Sequence, residues 1–357
     1  MSKKKIAVIF GGNSSEHDVS LESASYIIKN IPTSRYNVKM IGITKQGEWL
    51  LYDGDVDKIR TGEWEKSGNT KSAFISPDSQ NKGLIVLNND GSFEKFKLDA
   101  VFPVLHGKNG EDGSVQGLLQ LANIPCVGSD LTSSAVCMDK TLTNILLDHA
   151  GIKQADFLWI YSYNVKNHMD ICVTYIENNI SGYPVFIKPA KSGSSVGISK
   201  VNNTKELRKA LLIAANADNK ILIEANINGR EIECAVLGNE GDLEASVGGE
   251  IVSANEFYDY NAKYISDSKL ILPADLTEQQ TNELIAIAKE TYMLLGCSGF
   301  ARVDFFLTED GEFFVNEINT IPGFTSISMY PKLMEHKGIP IDQLLDRLIS
   351  LAIEGAN

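Results

Sequence analysis

Residues 299–319 constrain this chain more than any other stretch. Phe300-Ala301-Arg302-Val303-Asp304-Phe305-Phe306-Leu307 and Phe313-Phe314-Val315-Asn316-Glu317-Ile318-Asn319 are two apolar runs separated by Thr308-Glu309-Asp310-Gly311-Glu312. Runs of this composition around an Asp-Gly pair predict a β-hairpin closed by a tight type I′ turn. A turn centred on Asp310-Gly311 sets Asp304 opposite Glu317 and Arg302 opposite Asn319. Side chains alternate along a strand, so all four share one face, with opposed Cβ atoms roughly 4.5 to 5.5 Å apart. The same count brings Phe306 and Val315 onto that face. Carboxylates and an amide oxygen crowded onto a partly apolar face repel one another unless a cation sits between them. All-oxygen ligation suits a hard ion such as Mg²⁺. A surface hairpin with cross-strand ion pairs is the alternative that these residues alone leave open.

A chain of 357 residues is too long for one compact core and predicts roughly two or three domains. Hydrophobic residues at 43% and charged residues at 22% are ordinary for globular material, and no apolar run is long enough to span a bilayer. Met1-Ser2-Lys3-Lys4-Lys5 imitates the start of a signal peptide, but the apolar stretch Ile6 to Phe10 is too short and leads into Gly11-Gly12, so it reads as a first strand. Cys126, Cys137, Cys172, Cys234 and Cys297 are odd in number and lack CxxC spacing. That argues against a disulfide framework or a zinc site and for a reducing cytoplasm. The formal net charge of -13 disfavours nucleic acid and anionic lipid as partners. An anionic ligand must therefore meet local lysines.

Strand and helix patterns alternate early: Lys5 to Phe10, a Gly/Ser loop, a helix from Val19 to Ile31, strands at Val38 to Ile43 and Ala100 to Leu105, a helix at Ser114 to Ala122, and a strand at Ile124 to Val127. This order predicts a parallel α/β domain over 1–133. Gln46 to Lys97, poor in long apolar runs, reads as strands and loops peripheral to its core. A second unit, 134–219, runs helix (Asp139 to Ala150), strand (Val185 to Lys188), Gly/Ser loop, strand (Gly197 to Val201) and helix (Thr204 to Ala217). A third, 220–357, holds the hairpin, an amphipathic helix from Thr277 to Leu295 and a closing helix from Pro340 to Ala352.

Further segments carry candidate chemistry. In Pro184-Val185-Phe186-Ile187-Lys188-Pro189-Ala190-Lys191-Ser192-Gly193-Ser194-Ser195-Val196-Gly197, an apolar strand ends in a lysine and a Gly/Ser turn whose backbone N–H groups suit an anion. A flexible surface hairpin remains open, since the spacing matches neither a Walker A loop nor GxGxxG. Glu224 and Glu231 end a strand where they would accept from an adenine amine or a ribose hydroxyl, or else be exposed loop carboxylates. The loop Gly11-Gly12-Asn13-Ser14-Ser15-Glu16-His17 sits where open α/β sheets bind ligands; it lacks the dinucleotide fingerprint, and Glu16 would hold a cationic amine. His106, in Leu105-His106-Gly107, would reach a substrate carboxylate or serve structure. Gly249 to Lys269, with Tyr258, Tyr260 and Tyr264, has poor periodicity and reads as a lid from which Lys263 reaches a phosphate. Beyond the metal strand, Gly323 and Ser328 would lie beside whatever the metal activates.

In order along the chain, GGNSSEHDVSLESA, LHGKNGEDGSVQG, the MDK around Lys140, KPAKSGSSVG, EANINGREIE, FYDYNAKY, RVDFF and NEINTIPGFTS resemble the D-alanine-D-alanine ligase family of ATP-grasp enzymes, including the D-alanine-D-serine ligases of vancomycin resistance. The resemblance covers nearly the whole chain and is weakest from Gln46 to Lys97. It implies an N-terminal α/β domain followed by a two-part ATP-grasp fold. It implies two Mg²⁺, with Mn²⁺ as a substitute, on Asp304, Glu317 and Asn319, with Glu317 bridging. It also implies ATP phosphates on Lys140, Lys188, Ser195 and Lys263, and adenosine at Glu224, Ile227 and Glu231. Glu16 would take the ammonium of the first D-alanine within a set including Ser194 and Tyr264, with His106 nearby. Arg302 and the Gly323 backbone would stabilise an oxyanion, and Ser328 would fix the second carboxylate. Tyr264 argues against a D-lactate acceptor. Met329, where many D-serine ligases carry arginine, favours D-alanine over D-serine as acceptor. A homodimer is implied by the same similarity.

Overall fold

A computed structural model describes residues 2–193, 197–252 and 269–355. Its first sheet grows from β1 (Lys4–Gly11), whose six buried residues from Ile6 onward reflect a strand covered on both faces. β2 (Tyr36–Ile43) and β7 (Ala100–Val104) flank β1 in parallel. The expected parallel domain is thus present at its centre, but the sheet continues beyond it. β3 (Trp49–Tyr52), β4 (Thr70–Ile75), β5 (Gly83–Leu87) and β6 (Phe93–Lys97) extend it to seven strands in the order β6-β5-β4-β3-β2-β1-β7. All of these added pairings are antiparallel; the connections 44–48, 76–82 and 88–92 are too short for a crossover, whereas 53–69 is long enough and still returns antiparallel. The strand expected at Ile124 to Val127 is only a bridge from Cys126 to Val101; Pro125 has no N–H with which to extend a ladder.

The second sheet is antiparallel, in the order β10-β9-β11-β8: β8 (Phe157–Tyr161), β9 (Val185–Pro189), β10 (Ser199–Val201) and β11 (Lys220–Ala225). It runs past residue 219, where the sequence pattern places a boundary, because β11 pairs with both β8 and β9. The helices Leu131–Met138, Ser162–Asn167 and Met169–Asn179 are additions that the apolar spacing did not announce. Side-chain caps start Leu131–Met138 at Asp130 and Lys140–Ala150 at Asp139, each accepting from a backbone N–H of its first turn.

The third sheet runs β15-β14-β12-β16-β17, with β13 attached to β12: β12 (Arg230–Leu237), β13 (Glu244–Ala245), β14 (Gly249–Val252), β15 (Lys269–Ile271), β16 (Phe300–Leu307) and β17 (Phe313–Asn319). The stretch expected as a lid therefore begins and ends in strands, and its interior lies outside the described residues. Beneath this sheet, Val303, Phe305, Phe313, Val315 and Ile318 pack on the helix Glu278–Leu294. Among the described residues no helix is long and apolar enough to cross a membrane.

A knot of aromatic rings ties the first sheet to the third. Phe300 meets Phe102 and Phe324 at 6.0 Å and Tyr330 at 5.6 Å between ring centroids, all edge-on. All four rings are buried, and the strand leaving Phe300 carries Arg302 and Asp304. We expect Phe300→Ala to lower the unfolding free energy by about 3 to 5 kcal/mol, seen as a lower urea midpoint; an unchanged midpoint would show that the knot is dispensable.

Candidate active site

The hairpin pairs Arg302 with Asn319 and Asp304 with Glu317, as alternation predicts, although the turn is not the expected one. Thr308 and Glu312 close a three-residue loop, with Gly311 left-handed at φ 82, a geometry that favours glycine. The loop shifts the register, so Phe305 faces Val315 and Phe306 faces Phe314. A bulge between Asp304 and Phe305 then restores the Asp304–Glu317 pairing. Val315 consequently leaves the Asp304 face and enters the core, where its N–H donates to the Lys153 carbonyl at 2.9 Å. Phe306 stays on the functional face, lining a cavity of about 330 Å³ between the second and third sheets.

At the floor of this cavity Arg302 is buried and grips Asp304 with both Nε and Nη2 at 2.7 Å. Its Nε also stands 3.0 Å from Glu233 Oε2. Asn319 Nδ2 donates to Asp304 at 2.9 Å, and Lys140 Nζ lies 3.6 Å from Glu317. Burial works against the Arg302 charge, but Asp304, Glu233 and Glu317 outweigh it and hold the guanidinium protonated far above its ordinary range. Among the described residues no group of three His, Cys, Asp or Glu gathers as a metal cluster. Two carboxylates and the Asn319 amide still fit Mg²⁺, which commonly takes one or two carboxylates and completes its shell with substrate phosphates and water.

The opposite wall supplies cations. Lys188 on β9 and Glu224 on β11 are diagonal neighbours on one face and form a buried ion pair. Asn144 donates to the same Glu224 carboxylate at 2.9 Å. Lys140 opens its helix and donates from Nζ to the Ser192 carbonyl at 3.0 Å, so it touches the Gly/Ser loop as well as Glu317. Asp139, which the sequence reading missed, is buried and bonded to Lys220 at 2.8 Å. Its signal was an Asp directly ahead of an apolar-periodic run. Ile227 and Glu231 complete the expected lining. Glu233, also missed, lies two residues beyond Glu231 and therefore on the same face of β12.

Gly193, next to Ser192 of the cavity lining, lies against Glu16. This residue occupies the N-cap position of the helix His17–Asn30, yet its side chain does not cap it. The carboxylate lies against Gly107 and Gly193 instead: an added Cβ would come within 2.3 Å of it at Gly107 and 2.9 Å at Gly193. His106 meets the Ile321 carbonyl through Nδ1 at 3.1 Å and Ser23 Oγ through Nε2 at 3.2 Å. A carbonyl only accepts, so Nδ1 carries the proton, and the ring ties the first sheet to the segment leading to Gly323. Gly323 approaches Ser328 so closely that a Cβ would stand 3.1 Å from its hydroxyl. Ser328 Oγ accepts from the Thr325 N–H at 3.0 Å. Met329 is buried in the core, and a Cβ at Gly249 would stand 2.5 Å from its sulfur. Its side chain thus belongs to the core cluster that holds Tyr330 and Leu333. Ser194, Ser195, Lys263 and Tyr264 lie outside the described residues.

Two sheets that close on a cavity, with lysines on one wall and carboxylates on the other, define the ATP-grasp class. The sequence models described as D-ala D-ala ligase N-terminus and C-terminus match residues 5–129 and 146–350. The D-alanine--D-alanine ligase of Thermoanaerobacter sp. (strain X514) is 51% identical over 360 residues, spanning 100% of this chain and 98% of the relative. That of Acetivibrio thermocellus is 50% identical, spanning 99% and 97%. Among solved structures, the VanG D-Ala:D-Ser ligase from Enterococcus faecalis superposes with a TM-score of 0.90 at 44% identity, covering 98% of this chain and 100% of its own. The D-alanine-D-alanine ligase from Coxiella burnetii gives 0.85 at 36% identity, covering 99% and 96%. The chain belongs to the D-alanine-D-alanine ligase family.

The buried Lys188–Glu224 pair yields a stability prediction. Glu224→Ala strands a buried ammonium and should cost about 3 to 5 kcal/mol, most of which the apolar pair Lys188→Met with Glu224→Leu recovers. Chemical denaturation of both variants checks this; equal losses would contradict it.

Proposed function

We propose that this chain joins two D-alanine molecules into D-alanyl-D-alanine, converting ATP to ADP and phosphate, to supply peptidoglycan precursors in the cytoplasm, and that it works as a homodimer. The observation that carries this reading is that Lys188, Lys140, Arg302, Asp304 and Ser192 line one cavity, and that Gly193, the residue after Ser192, lies against the Glu16 carboxylate.

The chemistry follows from those positions. A carboxylate does not condense with an amine in water at a useful rate and needs prior activation. Glu16 holds the ammonium of the first D-alanine, which directs its carboxylate toward the γ-phosphate. That carboxylate attacks phosphorus, ADP leaves, and an acyl phosphate remains. Lys140 and Lys188 hold the phosphates, and Glu224, Ile227 and Glu231 hold the adenosine. Phosphoryl transfer needs positioning and neutralised charge more than covalent help. Two Mg²⁺, held by Asp304, Glu317 and Asn319, would neutralise phosphate charge when bound. The amine of the second D-alanine, its carboxylate fixed by Ser328, then attacks the acyl carbon. Arg302 and the Gly323 N–H receive the negative oxygen of the tetrahedral centre. Phosphate departs, the amine loses its proton and the peptide bond is complete.

One observation favours a second reading, the likeness to a D-Ala:D-Ser ligase at 44% identity, which would give a D-serine acceptor and a vancomycin-resistance role. The two readings share every step up to the acceptor, so the product separates them. Purified protein given ATP, MgCl₂, D-alanine and an equal concentration of D-serine should release ADP and make mainly D-alanyl-D-alanine by mass. Mainly D-alanyl-D-serine would establish the second reading, and neither dipeptide would overturn both.

A further inference from the structure

Three carboxylates stand in one row across the third sheet. Glu233 on β12 pairs with Asp304 on β16, which pairs with Glu317 on β17. Neighbouring strands lie about 4.8 Å apart, so the row concentrates like charges that must be shared among nearby cations. Arg302 occupies the next row, opposite Ala235 on one side and Asn319 on the other. The small Ala235 side chain leaves its guanidinium able to lean back between Glu233 and Asp304. It contacts both: Nε is 2.7 Å from Asp304 Oδ1 and 3.0 Å from Glu233 Oε2. Nε carries a single proton, and its hydrogen bond goes to Asp304.

The ligand assignment of Asp304 puts this arrangement in conflict with itself. Arg302 donates to both Asp304 oxygens and Asn319 donates to Oδ2, so a metal must compete with a cation and an amide for a carboxylate that has only about four lone-pair sites. We propose that Glu233 is the positioning residue that resolves the conflict: it takes over the Arg302 guanidinium when Mg²⁺ engages Asp304, and so frees a metal ligand while keeping the cation at the acyl centre. The inference rests on the Mg²⁺ reading of Asp304 given above. It assigns Glu233 no contact with substrate or metal. The residue has the position the exchange requires, on the far side of Asp304 from Glu317 and buried beside Arg302. Passing the guanidinium from one carboxylate to the other needs only a reorientation within existing contact distance.

The test reads metal-assisted nucleotide binding, independent of turnover. ADP binding is followed by calorimetry over a series of MgCl₂ concentrations for the natural protein, Glu233→Gln, Arg302→Gln and the double variant. With the amide at 233, Asp304 is the stronger remaining partner of Arg302, and the MgCl₂ needed for half-maximal enhancement should rise roughly tenfold or more, the scale on which a neighbouring charge acts. In the Arg302→Gln background there is no guanidinium to pass on, and the same Glu233→Gln change should shift the requirement by less than about threefold. Glu233→Asp, which keeps the charge, should stay within about threefold of the natural protein; it also serves if Glu233→Gln fails to fold by circular dichroism. Equal shifts in both backgrounds, or a Glu233→Asp loss as large as that of Glu233→Gln, would overturn the exchange while leaving the metal assignment intact. ADP binding by the natural protein that ignores MgCl₂ would overturn the metal assignment and the exchange together.

Discussion

The grip of Arg302 on Asp304 is the interaction on which the rest of the site depends. A guanidinium buried this deeply is tolerable only with carboxylates against it, since removing one partner of a buried pair costs several kcal/mol. Asp304, Glu233 and Glu317 meet that requirement together. The result is a sheet face crowded with negative charge, and Lys140 relieves it from the other side of the cavity. Charge balance therefore couples the third sheet to the helix Lys140–Ala150, and through Ser192 to the Gly/Ser loop. The cavity between the sheets is built from this coupling as much as from packing.

Packing sets where those charges stand. The aromatic knot around Phe300 fixes the start of β16 against the first sheet, two residues ahead of Arg302. His106 bridges Ser23 of the first domain to Ile321 of the segment that carries Gly323. Glu16, held between Gly107 and Gly193, brings a carboxylate of the first sheet to the loop of the second. The proposed amino-acid and nucleotide positions are thereby held in one frame, which is what an activated acyl group requires if its acceptor is to reach it before water does.

Much of this was legible in the sequence, for reasons that differ by residue. Alternation in β16 and β17 placed Asp304 opposite Glu317 because period-two patterning survives even when the turn is misjudged. Here the three-residue loop and the bulge cancel, so the functional pairing holds while Val315 changes face. The antiparallel strands between residues 49 and 97 were obscure because they are short and set among polar turns, and β6 at the sheet edge is exposed on both faces. Glu233 and Asp139 were missed because their importance comes from partners distant in sequence, Arg302 and Lys220. For Met329 the motif context speaks only to the acceptor, and the core position of its side chain at the start of its helix was not legible from that context.

The central claim is that the first substrate's carboxylate is activated by phosphorylation in this cavity. The most direct test gives the protein D-alanine labelled with ¹⁸O in its carboxylate, together with ATP and MgCl₂, and analyses the released phosphate by mass. The account predicts one ¹⁸O in each phosphate, because the oxygen that attacks phosphorus leaves with it when the peptide bond forms. Phosphate without label, released together with dipeptide, would contradict an acyl-phosphate route and with it the role given to this site.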